Sequence, residues 1–124
     1  MTDKINSFKD LIVWKKSIDH VTEIYKITNK FPDSEIFSLT NQIRRASVSV
    51  PANIAEGWGR RKTKVFIQFL NISHGSLCEL ETLFIIARNL EYTSDKVFNE
   101  CFTKIDEIGK MLTSLITKLE LKVK

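Results

Sequence analysis

Apolar residues recur every three or four positions through four successive stretches of this chain, a rhythm that suits a helix with one face against a partner. Leu11, Trp14, Ile18, Val21, Tyr25 and Thr28 carry the first stretch, and Ile36, Leu39, Ile43, Ala46, Val50 and Ile54 the second. Phe66, Leu70, Ser73, Leu77, Leu80, Phe84 and Ala87 form the third. Phe98, Cys101, Ile105, Ile108, Leu112, Leu115 and Leu119 form the fourth, an unbroken heptad pattern. Only four Gly and two Pro occur among 124 residues, too few for the tight turns of an all-β fold. Helices of roughly 20 to 28 residues on short connections favour antiparallel neighbours. The predicted fold is all-α, an up-down-up-down antiparallel four-helix bundle formed by one domain over residues 1–124.

Local chemistry sets the expected boundaries. The first helix should stop near Lys30, because Pro32 biases Phe31 away from helical geometry, and Asp33 or Ser34 can cap the second. The apolar rhythm of that second helix runs straight through Pro51. The proline then lies inside the helix and should bend it, with the Ser47 and Ser49 hydroxyls available to freed backbone groups. Gly57 or Gly59 can supply a left-handed residue at its end. Thr63 and Ser94 are the expected caps of the third and fourth helices. The third also carries a second apolar row, Phe69, Ile72, Ser76, Leu83, Ile86 and Leu90, more than one seam requires. That surplus suits a central position or a subunit interface.

No membrane span is expected, since the longest apolar run, Leu83 to Ala87, is far short of the ~20 residues that cross a bilayer. Met1 to Lys4 has no apolar segment behind it, so no secretory signal is expected either. Cys78 and Cys101 are widely separated and read as reduced, buried small hydrophobes, which together with the missing signal suggests a cytoplasmic protein.

The stretch from Gln42 to Lys64 breaks helix grammar with charges, a proline and two glycines, which makes it the place to seek function. Asn53 and Glu56 share a helix face, and Glu79 follows Gly75, where a missing side chain would let another helix come close. With Arg44 and Arg45 they suggest a buried or interfacial polar network, in which an Arg fork meets a carboxylate at two points. The net charge of +4 is concentrated in Arg60, Arg61, Lys62 and Lys64, with a ragged basic tail at Lys118, Lys122 and Lys124. The Arg60 to Lys64 cluster reads either as a solvated turn or as a phosphate-binding rim, and Trp58 beside it either anchors the loop or stacks on a base.

Catalytic and metal readings find little. The residues three before His20 and His74 are Ser17 and Asn71, so the Glu-x-x-His pairs of a di-iron bundle are missing. His74 and Cys78 share a face but offer only two ligands. No cofactor, metal or catalytic residue is expected, and an enzyme is not.

Phe8 to Trp14 (F-K-D-L-I-V-W), Gln42 to Ala46 (Q-I-R-R-A), Ser49 to Gly57 (S-V-P-A-N-I-A-E-G) followed by Gly59-Arg60, and Gly75 to Glu81 (G-S-L-C-E-L-E) together resemble the four-helix-bundle proteins encoded in 23S ribosomal RNA intervening sequences. The resemblance covers nearly the whole chain, with small departures such as Ser73. It implies a bacterial cytosolic bundle and a ring-shaped homo-oligomer, typically a pentamer, without implying an enzyme. The family is similar in fold to the accessory variability determinant proteins of diversity-generating retroelements, basic pentameric bundles that engage nucleic acid. The expected function is a homo-oligomeric scaffold that binds RNA or DNA through its basic surface; the alternative is a purely structural self-assembling bundle with no nucleic-acid role.

Overall fold

A computed structural model describes residues 5–123. Ser7 caps the first element with a capping box on a 3-10 turn, Phe8–Asp10, whose Phe8 ring packs edge-on to Trp14 at 5.3 Å. Four helices follow: α1 (Ile12–Thr28), α2 (Leu39–Gly59), α3 (Thr63–Asn89) and α4 (Asp95–Lys122). Each packs on its neighbours in sequence, and α1 closes against α4. There is no strand among the described residues. Contacts run in opposite order along facing helices. Gly57 meets Phe69 and Ser49 meets Ser76 between α2 and α3, while Phe84 stacks on Phe98 and Leu77 lies by Gly109 between α3 and α4.

The α3 and α4 rows sit where their periodicity puts them. Phe66, Leu70, Ser73, Leu77, Leu80, Phe84 and Ala87 are all buried, as are Phe98, Cys101, Ile105, Ile108 and Leu112, with Leu115 and Leu119 packed at the edge. Ser73 stays at the centre because its hydroxyl donates to the Val50 carbonyl at 2.8 Å, which ties α3 to α2 one residue before Pro51. Pro51 lies inside α2. The nearby hydroxyls do other work than expected: Ser47 donates to the Arg44 carbonyl, and Ser49 joins Ser76 of α3 at 2.8 Å.

Helix α1 departs from the expected register. Its buried face is Val13, Ser17, His20, Ile24 and Thr28, while Ile18 and Tyr25 face solvent. The polar members can be buried because each has a partner: Ser17 donates to the Trp14 carbonyl and Thr28 to that of Ile24 within the helix, and His20 meets Cys101 of α4.

The start of α2 is also corrected. Neither Asp33 nor Ser34 caps it; Asp33–Glu35 forms a 3-10 turn and the helix begins only at Leu39, leaving Ile36 outside the core. The Glu35 carboxylate fills the cap role, accepting the Leu39 N–H at 3.3 Å and the Tyr92 hydroxyl at 2.8 Å. Lys62, not Thr63, is the residue before α3 and supplies no side-chain cap, whereas Ser94 caps α4 by accepting the Val97 N–H.

Candidate functional site

The basic turn joins α2 to α3, and its shape follows from a glycine. A Cβ on Gly57 would stand 2.5 Å from the Phe69 Cβ, so Gly57 lets the two helices close on one another. Neither Gly57 nor Gly59 adopts the expected left-handed geometry. Arg61 does, with φ 62°, and it reverses the chain toward α3. Trp58 anchors this end, edge-on to Phe66 at 5.8 Å.

The four cations here are not equivalent. Arg60 pairs with Glu56 one helical turn earlier at 3.1 Å and lies over the Phe69 ring. Arg61, Lys62 and Lys64 are exposed and make no ion pair among the described residues. A cavity of about 310 Å³ opens beside them between Trp58, Phe66, Leu119 and Asn6. The tail cations Lys118 and Lys122 are exposed, and Lys124 lies outside the described residues.

The five residues expected to form one polar network are dispersed. Arg44 turns toward the end of α1, donating to Thr28 Oγ1 at 2.9 Å and Asn29 Oδ1 at 3.1 Å and stacking on Tyr25. Asn53 donates to the Ser49 carbonyl and hydroxyl, extending the Ser49–Ser76 link, and Glu56 is the partner of Arg60. Arg45 and Glu79 are exposed, with no hydrogen bond or ion pair from either side chain among the described residues. They are not buried within this chain. Gly75 likewise meets nothing among the described residues: a Cβ there would find none of their atoms within 4 Å beyond its own turn of helix.

The second row of α3 splits. Leu83 is buried and Phe69 and Ser76 half-buried, while Ile72, Ile86 and Leu90 are exposed, Ile72 by 50%. Val48 on α2 is exposed as well. Phe37, in the turn before α2, is the extreme case at 95% exposed.

Periodicity could not reveal the pair between α1 and α4. His20 Nε2 lies 3.3 Å from Cys101 Sγ with both residues buried. Burial lowers the His20 pKa to about 4, against a smaller upward pull from Glu23, and raises the Cys101 thiol to about 12. Such a thiol is a poor nucleophile at neutral pH. Cys78, expected to be buried, is exposed and sits 3.8 Å from His74 Nδ1. No group of three or more metal-ligating side chains converges among the described residues, and no helix of the described chain is long and apolar enough to cross a membrane.

Comparison with known proteins gives a family and a fold. The family model for the 23S rRNA-intervening sequence protein matches residues 9–114. No curated protein matches. Among solved structures, the chain is similar to a protein of unknown function from the S23 ribosomal protein family of Bacteroides thetaiotaomicron, with TM-score 0.80, 26% identity, and coverage of 86% of this chain and 96% of that one.

Proposed function

This chain belongs to the 23S rRNA-intervening sequence protein family, and we propose that it is a non-enzymatic, self-associating cytoplasmic scaffold whose copies form a ring with a basic, nucleic-acid-binding rim. The observation that carries self-association is Phe37. Its turn is held by the Glu35 N–H to Pro32 carbonyl bond at 2.9 Å and the Ser38 N–H to Glu35 carbonyl bond at 3.0 Å, so a large ring is held out in water. Burying such a side chain is worth about 1.5–3 kcal/mol, which a second copy can supply. Ile72 and Ile86 on α3 and Leu90 just past its end are further exposed apolar side chains, and Gly75 leaves bare backbone on which another helix can rest.

Charge supports a head-to-tail contact. Arg45 on α2 and Glu79 on α3 have opposite signs and no ion-pair partner among the described residues, so Arg45 of one copy can pair with Glu79 of the next. Repeated head to tail, such a contact gives a ring when the rotation between copies closes, and the family resemblance points to a pentamer. Each copy would then add Arg61, Lys62 and Lys64 to one rim, where many modest phosphate contacts act together.

Replacing Arg60, Arg61, Lys62 and Lys64 by Gln tests the nucleic-acid half. The expected result is unchanged assembly mass with loss of RNA and DNA binding, the wild type binding more weakly as salt rises. A wild type that binds neither at low salt would leave the purely structural alternative.

A further inference from the structure

We propose that the cavity beside the α2–α3 turn is a pocket for one unpaired nucleobase of a single-stranded nucleic acid. The inference rests on the nucleic-acid half of the function proposed above and assigns that surface a ligand geometry. The cavity, about 310 Å³, is of the size that small planar ligands fill. Trp58, Phe66 and Leu119 give it an apolar, aromatic wall; Arg61 and Lys62 give it a cationic edge; Asn6 adds a side-chain amide.

Each part matches one part of a nucleotide. A base offers a π-face to Trp58, which is only partly buried by its edge contact with Phe66. A base edge carries donors and acceptors that an amide such as Asn6 can meet. The adjoining phosphate falls to Arg61 and Lys62, whose charges have no acidic partner among the described residues.

Two observations favour a strand over a free nucleotide, and a single strand over a duplex. The positive charge continues beyond the cavity to Lys64, which is exposed and has no ion pair among the described residues, so a second phosphate along a strand has a cation to meet. An aromatic wall can receive only a base that has left its stack, and bases in a duplex are paired and stacked.

Intrinsic fluorescence reads the pocket in the full-length protein. With Trp14→Phe as background, Trp58 is the sole tryptophan, and its emission is followed while a short single-stranded RNA, the same RNA as a duplex, or a mononucleotide is added. The expected result is quenching by the single strand at concentrations about tenfold below those needed for the duplex or the mononucleotide. Trp58→Leu should weaken single-strand binding about tenfold, the size of one lost stack, with the salt dependence retained. Asn6→Ala, at an exposed position that cannot upset the core, should weaken it less but in the same direction.

Equal, salt-sensitive binding of single strand and duplex without quenching would overturn the pocket and leave the electrostatic rim standing. Binding of no nucleic acid at low salt would overturn both. Quenching by the mononucleotide as tightly as by the strand would overturn the assignment to a strand.

Discussion

His20 Nε2 and Cys101 Sγ stand 3.3 Å apart in the seam between α1 and α4, beneath the Lys16–Glu107 and Lys104–Glu23 ion pairs. Burial is the main reason that His20 titrates near 4 instead of 6.5; Glu23 opposes the shift and Lys104 adds to it.

The seam should therefore fail on acidification. The unfolded chain takes up a proton at His20 near pH 6.5, whereas the folded chain resists until about pH 4. Stability from the neutral ring is complete above pH 6.5 and is lost as pH falls toward 4, by about 2 kcal/mol between pH 7 and pH 5. Urea unfolding of wild type and His20→Leu at those two pH values checks this. The variant should lose the smaller amount on acidification, and equal losses would show that His20 does not couple folding to protons.

Gly57 and Gly75 should respond oppositely to a methyl group. Gly57→Ala drives a Cβ to within 2.5 Å of Phe69 Cβ, which lies too near the backbone to swing aside, and overpacking of this kind costs about 1–3 kcal/mol. Gly75→Ala meets open space on its own chain and gains helix propensity of about 0.5–1 kcal/mol. Thermal unfolding at low protein concentration should lower the melting temperature of the first and raise that of the second. A stable Gly57→Ala would mean that α2 and α3 are not in close approach there.

Thr40 carries a buried cost. The residue is 2% exposed and its Oγ1 has no hydrogen-bond partner among the described residues. Thr40→Val keeps the shape and removes the unsatisfied hydroxyl, so chemical denaturation should show a gain of about 1 kcal/mol. A loss of similar size would reveal a hydrogen bond from that hydroxyl.

Where a helix buries mostly apolar residues, the chain announced its own core. The α3 and α4 rows are such cases, and so is α2 from Leu39 onward. Helix α1 hid its register because Ser17, His20 and Thr28 are buried through hydrogen bonds that hydropathy does not register, while Ile18 and Tyr25 lie outside. The turn before α2 was unreadable for a related reason: its cap, Glu35, also holds Tyr92, which is 57 residues away in sequence. The basic cluster was visible as a run of charge. Its cavity was not, because Asn6 and Leu119 reach it from opposite ends of the sequence. The expected polar network grouped residues by chemical type, but Arg44 found neutral partners on α1 before any carboxylate.

Sedimentation velocity on wild type and Phe37→Ser at micromolar concentration tests self-association. Phe37 is 95% exposed, so its removal leaves the core of the single chain untouched. Wild type is expected as a closed oligomer, and Phe37→Ser as a folded species of lower mass with unchanged helix content. A wild type that sediments as a compact monomer, or a variant that assembles like wild type, would show that the apolar surface around Phe37 does not join the copies.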